Sequence, residues 1–197
     1  MKKQPNIGIV LASSSLYRRE LLTKICPEFE NHNPDIDESA RVNESPLVLS
    51  QRLATEKAQA LATIYPKHLI IGSDQVAMLS DKQLSKPGSH AKAVQQLQSS
   101  SGKVIGFYTS LCVLNTQTNT QSNDVDVCRV YMKTLSLEEI ESYVNREKPF
   151  NCAASFKSEG LGIVLFEKIE GDDPNALIGL PLIKLAKLLA LNGYKVL

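Results

Sequence analysis

Apolar and polar positions alternate along this chain in blocks that read as strands and helices in mixed order. Ile7 to Ala12 is a continuous apolar run of the kind found in strands buried on both faces, and it ends in Ser13-Ser14-Ser15. From Tyr17 to Ile25 the period becomes helical, with Leu21, Leu22 and Ile25 on one side. A Pro/Asn/Asp-rich loop (Pro27 to Pro46) precedes a second predicted helix from about Pro46, a favourable first-turn proline, to Tyr65. His68 to Ser73 reads as another buried strand, with Asp74 expected at its carboxyl end. The turn Lys86-Pro87-Gly88-Ser89 leads into a helix from Ala91 to about Ser101, stopped by Gly102. Val104–Leu114 and Val125–Met132 resemble two strands of a hairpin with a flexible Thr/Asn/Gln-rich tip. Ser136-Leu137-Glu138-Glu139 is a capping box for a helix ending before Pro149. Gly162 to Ile169 reads as a last strand, and Leu182, Leu185, Leu188 and Leu189 form the stripe of a C-terminal helix closed by Asn192-Gly193. Only a mixed α/β fold accommodates this order.

Length and charge narrow the function. A chain of 197 residues favours one domain, or two small lobes sharing a cleft. With 22 basic against 21 acidic residues there is no sequence-independent attraction to a polyanion, so neither a nucleic-acid polymer nor a membrane surface is expected as partner. Met1 to Pro5 leads straight into the first apolar run, unlike a signal peptide, and no apolar stretch reaches the roughly 18 to 20 residues of a membrane helix. Cys26, Cys112, Cys128 and Cys152 are widely spaced, without a C-x-x-C pair or a nearby His at zinc-ligand spacing. Buried thiols in a reducing cytoplasm are the expectation.

Three places could carry chemistry. Ser13 to Glu20, between strand and helix, includes Arg18 and Arg19 beside serine hydroxyls and a helix N-terminus, which together could cradle phosphate; a serine cap followed by solvated arginines is the other reading. Asp74, beyond a strand, is placed for a metal or a water, or else caps a loop. The loop acids Asp35, Asp37 and Glu38 could supply a partner carboxylate for Mg²⁺, although such clusters are usually just solvated. Lys57 falls in one helical row with Leu53 and Leu61, where a lysine is unexpected unless it snorkels. Lys86 and Lys157 lie in loops, as solvated charges or ligands. Cations for phosphate and carboxylates for a divalent metal are what phosphoanhydride hydrolysis needs. No Walker motif, dinucleotide glycine fingerprint, H-E-x-x-H or G-x-S-x-G competes with that reading.

Leu11 to Leu22, Asp37-Glu38, Glu56-Lys57-Ala58, Gly72-Ser73-Asp74-Gln75, Ser85-Lys86-Pro87 and Glu170-Gly171 to Gly179-Leu180-Pro181 resemble, in order, the motifs of the Maf family of nucleoside triphosphate pyrophosphatases. The resemblance spans residues 1–197 as a single domain. It implies an α/β fold of the Maf/ITPase-like kind, with an elongated central mixed sheet, flanking helices, two lobes around a cleft and often a homodimer. It also implies hydrolysis of a nucleoside triphosphate to the monophosphate and pyrophosphate with a divalent cation, Mg²⁺ or Mn²⁺. Asp74 matches the family's proton acceptor, Glu38 an acid that shares the metal with Asp74, and Ser13, Arg18, Lys57 and Lys86 the residues that grip phosphates. Tyr17, Gln75 and Glu159 stand at the positions that set base preference, and they resemble the 7-methyl-GTP subgroup; the dTTP/UTP subgroup typically has threonine after the aspartate and glutamine in place of this glutamate. A methylated guanine is cationic, which an aromatic face and a carboxylate both favour. The same chemistry on dTTP or UTP, and a non-catalytic nucleotide sensor in division control, are the alternatives.

Overall fold

The computed structural model describes residues 7–197. The expectation about Met1 to Pro5 lies outside the described residues. The strands are β1 (Gly8–Ala12), β2 (Glu30–His32), β3 (His68–Leu79), β4 (Lys82–Gln83), β5 (Val104–Asn115), β6 (Thr120–Met132) and β7 (Phe166–Glu170). The helices are α1 (Leu16–Thr23), α2 (Pro46–Gln59), α3 (His90–Ser100), α4 (Leu137–Glu147) and α5 (Leu182–Leu191). One seven-stranded sheet runs in the order β2-β1-β3-β5-β6-β7, with β4 on β3. β1 is parallel to β2 and β3, whereas β4 on β3 and β7 on β6 are antiparallel, so the expected mixed sheet is present.

Contacts divide the chain into two compact units. The first comprises the chain up to Gln75, Thr109–Asp126 and Asp173–Leu197; the second comprises Val76–Tyr108 and Val127–Asp172. The boundary falls within β3, β5 and β6.

In the first unit, strand alternation sorts side chains to two faces. Ile9, Leu11, Leu69, Ile71, Leu111 and Val113 pack with Leu21 and Leu22 of α1 and with Leu185, Leu188 and Leu189 of α5. Val10, Ala12, Ile70, Cys112 and Leu114 pack instead with Ala54 and Ala58 of α2 and with Leu61. Burial on both faces is why these strands read as continuous apolar runs. The second unit packs α3 against α4 and carries the rings of Phe107, Phe156 and Phe166, which meet edge to face with centroids 5.5 and 4.7 Å apart.

Four helices begin at a serine cap. Ser15, Ser45, Ser89 and Ser136 each accept an amide from the first turn, and Ser136 with Glu139 completes the expected capping box. α3 is followed by Gly102 at φ 67° and α5 by Gly193 at φ 84°, as the sequence suggests.

Several boundaries differ from expectation. α2 ends at Gln59, and residues 60–64 continue as turns: the Ala60 amide still reaches the Glu56 carbonyl, but the Leu61 and Ala62 amides close shorter bonds onto Ala58 and Gln59 instead of extending the ladder. The supposed loop from Pro27 to Pro46 contains β2, whose polar triplet Glu-Asn-His pairs through its backbone alone and shows no hydrophobic period. The predicted strand from Gly162 to Ile169 is a 3-10 turn over Leu161–Leu165 followed by β7. Gly162 lies so close to the Lys157 carbonyl that a Cβ would come within 2.2 Å, so the chain folds back there rather than extending. Most important for the site, β3 continues to Leu79, so Asp74 is inside a strand and not at its end. β1 stops sooner: Ala12 pairs with Gly72, and Asp74 lies just past the last residue of that parallel ladder.

Candidate functional site

The site is built where β1 ends and β3 runs on. Gly72 has no side chain to hold α2 away; a Cβ there would sit 2.0 Å from the Ala54 carbonyl oxygen and 3.0 Å from the Ala58 amide nitrogen. That close approach, with Leu53 and Leu61 buried in the row predicted for them, brings Lys57 of α2 against Asp74 of β3. Lys57 is 6% exposed and Asp74 7% exposed, so this is a buried pair and not a lysine snorkelling to solvent. Lys57 Nζ donates to Asp74 Oδ1 at 2.6 Å and pairs with Glu38 Oε1 at 2.8 Å. One ammonium thus gathers two carboxylates, one from a strand and one from the loop before α2.

The other loop acids are arranged differently. Asp37 Oδ1 accepts the Ser39 amide at 2.9 Å, and those bonds from Ser39 hold its carboxyl below the usual range. Asp35 is exposed. Among the three acids, Glu38 is the one that meets Lys57.

Arg18 comes from the first turn of α1 and lies half-buried. Its Nε donates to the Gly179 carbonyl at 2.8 Å, which commits one of five guanidinium donors and fixes the plane of the fork. Burial lowers its pKa, while the negative charges of Asp74 and Glu38 raise it in opposition. The arginine therefore lies in the field of the same two carboxylates. Ser13, buried at the end of β1, accepts the Ser15 amide at 3.1 Å, and Ser15 in turn accepts the Arg18 amide at 3.4 Å. Two amides of the anticipated cradle are turned onto serine side chains. Tyr17, on the same first turn, is half-buried.

Gln75 follows Asp74 and works on a neighbouring loop. Its Nε2 donates to Ala176 and Leu177 carbonyls at 2.9 and 3.1 Å and lies 3.0 Å from Thr109 Oγ1. That loop is tied at its other end by Asp173, which accepts the Asn175 amide at 2.8 Å and the Ile183 amide of α5 at 2.6 Å.

The first unit therefore carries Ser13, Tyr17, Arg18, Glu38, Lys57, Asp74 and Gln75, and joins Glu38, Lys57 and Asp74 directly. Lys86 and Glu159 belong to the second unit, where both side chains are exposed. Lys157, in the same loop as Glu159, is bound to Glu147 Oε1 and to the Glu147 carbonyl, both at 3.1 Å, so it is a tie within that unit.

Sequence reasoning missed two contributors. Gly179 sits at φ 119°, and its carbonyl also accepts from Ser73 Oγ at 3.0 Å; the Gly-Leu-Pro triplet signals a turn but not which side chains it anchors. Arg52, on α2, belongs to none of the motifs or apolar rows singled out in the sequence, yet its side chain is only 12% exposed.

As donors, Glu38 and Asp74 suit a hard divalent cation, because Mg²⁺ is commonly held by one or two carboxylates together with substrate phosphates. No group of three or more His, Cys, Asp or Glu side chains able to hold a metal occurs among the described residues, so substrate oxygens would have to complete such a shell. Among the described residues, no helix is long and apolar enough to cross a membrane.

The family model for Maf-like proteins matches residues 8–191. The chain is 52% identical over 187 residues to a 7-methyl-GTP pyrophosphatase of Alcanivorax borkumensis, covering 95% of each. It is 50% identical over 189 residues to a protein of the same description from Colwellia psychrerythraea, covering 96% of this chain and 94% of that one. A relative so described from Aliivibrio fischeri is 49% identical, with 96% and 98% covered. Among solved structures, a HAM1 protein from Coxiella burnetii shares the fold at a TM-score of 0.51 and 15% identity, over 94% of this chain and 99% of that one.

Proposed function

This chain belongs to the family of Maf-like proteins, and from that premise we propose that it is a nucleotide pyrophosphatase that converts 7-methyl-GTP to 7-methyl-GMP and pyrophosphate. The observation that carries the reading is the buried Lys57 ammonium bridging Asp74 and Glu38. The curated relatives at about half identity, described as 7-methyl-GTP pyrophosphatases, support the substrate.

Water attacks the α-phosphorus, the bond to the α–β bridging oxygen breaks, and pyrophosphate leaves. Asp74 accepts the proton of the attacking water. Lys57, bonded to Oδ1, holds the carboxylate in one orientation and leaves Oδ2 as the basic oxygen. Arg18, aimed by Gly179, and Ser13 bind phosphate oxygens, as does Lys57 once substrate competes for its ammonium. Glu38 and Asp74 would hold Mg²⁺ or Mn²⁺, which supplies neutralisation of phosphate charge. Lys86 as a further phosphate ligand, and Tyr17, Gln75 and Glu159 as readers of the cationic base, rest on the motif resemblance. A reducing cytoplasmic setting, with no nucleic-acid polymer as partner, and a homodimer complete the proposal. The four cysteines, of which Cys26, Cys112 and Cys128 are buried, support the reducing setting.

The test is pyrophosphate release from 7-methyl-GTP, GTP, dTTP and UTP, with Mg²⁺ and with chelator. Asp74→Asn should lower the rate by on the order of 10² to 10⁴, the usual worth of a positioned base. Wild-type rates in that variant would sink the assignment. Glu159→Gln should lower the ratio of 7-methyl-GTP to GTP turnover; an unchanged ratio removes Glu159 from base reading.

A further inference from the structure

Arg52 lies on α2 five residues before Lys57, and its guanidinium is packed among partners of the preceding loop. Nε and Nη2 hold Glu44 Oε1 and Oε2 at 2.7 and 2.9 Å, a bidentate pair in which the Glu44 side chain is 5% exposed. Nη1 donates to Glu56 Oε2 at 2.8 Å. Nη2 also donates to the carbonyl oxygen of Ser39 at 2.9 Å, one residue beyond Glu38. The loop returns the grip: the Arg41 amide donates to Glu44 Oε2 at 2.9 Å and Arg41 Nη2 to Glu56 Oε1 at 2.9 Å.

Glu38 stands on a segment with no secondary structure between β2 and α2, and its side chain is 61% exposed although it pairs with Lys57. A carboxylate on such a segment loses much conformational freedom whenever it is fixed on a ligand. Helix α2 fixes it twice, through Lys57 at the side chain and through Arg52 at the adjoining backbone. If substrate draws Lys57 away, the Arg52 clip still holds the Ser39 carbonyl, one residue beyond Glu38, beside α2.

We propose that Arg52, anchored by Glu44, is a positioning residue that presents Glu38 to the metal–triphosphate complex. The inference rests on the function proposed above, because it assigns Arg52 to the acid that would share the cation. A lysine cannot substitute, since a point charge cannot hold both Glu44 oxygens and the Ser39 carbonyl in one plane.

Arg52→Met, Arg52→Lys and Glu44→Gln test it with two readouts. In the ligand-free protein, hydrogen exchange of a peptide covering residues 38–44 should quicken in Arg52→Met while peptides from β3 keep their wild-type protection. In pyrophosphate release, the Mg²⁺ concentration for half-saturation should rise about 10- to 100-fold, as for other outer partners of metal ligands, with kcat at saturating Mg²⁺ falling much less. Glu44→Gln should show the same pattern more weakly without altering α2, and decides the matter should Arg52→Met not fold. In a Glu38→Gln background the Arg52→Met effect on half-saturation should vanish. Unchanged exchange at 38–44, or an equal effect in both backgrounds, overturns the proposal. A wild-type protein without turnover would refute the proposed function, while the exchange experiment would still decide whether Arg52 holds the loop.

Discussion

At the scale of single residues, Lys57 decides what the site can do. A lysine in an apolar helical row costs desolvation unless a partner is fixed beside it, and here two are, at 2.6 and 2.8 Å. The arrangement places one cation among carboxylates to which a triphosphate would add further negative charge. Lys57→Met keeps the length and apolar stem but deletes the ammonium that bridges Asp74 and Glu38, leaving only Arg18 in the field of both. The rate with 7-methyl-GTP should fall by on the order of 10² or more, comparable to losing a preorganised charge donor. Lys57→Arg should not restore it, because the broader guanidinium does not fit the space of a 6%-exposed ammonium. Steady-state kinetics of both variants would check this, and near-wild-type turnover in Lys57→Met would remove Lys57 from the machinery.

At the scale of elements, the site depends on how closely α2 can lie on β3. Gly72 permits the approach, and an added Cβ would need to displace the Ala54 carbonyl from 2.0 Å. Gly72→Ala should therefore cost about 1–3 kcal/mol, as overpacking does, and lower the melting temperature by several degrees. It should also reduce turnover by moving Lys57 relative to Asp74. Thermal melts and kinetics on one preparation suffice, and a variant with unchanged melting and rate would refute the close-packing account. The same pair of elements shows what could be read from sequence. The Leu53-Lys57-Leu61 row and the Gly72-Ser73-Asp74 turn of phrase in the chain are local signals, so Lys57 and Asp74 could be singled out without coordinates. The end of β3 is obscured because polar Ser73-Asp74-Gln75 interrupts the apolar run, although Val76-Ala77-Met78-Leu79 resumes it and continues the strand. β2 was invisible for a related reason: Glu30-Asn31-His32 has no apolar face, and only its backbone pairing with β1 makes it a strand. Arg52 and Gly179 have no period or motif that names their partners, since Ser39, Glu44 and Arg18 are supplied by loops and by another helix.

At the scale of the whole molecule, acids and weak acids set the range of pH over which the fold is stable. Glu44 is held down to about 2, first by its hydrogen bonds to Arg52 and then by the Arg41 amide. In the second unit, Glu147 is lowered by the Leu161 amide and then by Lys157, and Glu139 by the Ser136 cap. For each, the unfolded chain binds more protons than the folded one below the ordinary carboxylate pKa, so stability is full above about 4.5 and is lost as pH falls through the lowered folded-state pKa, about 2 for Glu44. Burial acts in the opposite direction on Cys112, pushing its thiol up to about 12, and it raises Tyr143 as well. Their contributions are full below the ordinary thiol and phenol values and are lost as pH rises through the folded ones. Denaturant melts should give a plateau from roughly pH 5 to 8, with falling arms on both sides. Glu44→Gln should flatten part of the acid arm while leaving the alkaline arm as it was, because its amide cannot take up the proton whose binding drives the loss. An acid arm as steep in Glu44→Gln as in the parent would show that the Arg52–Glu44 pair, despite its short bonds, contributes nothing to how the fold responds to acid.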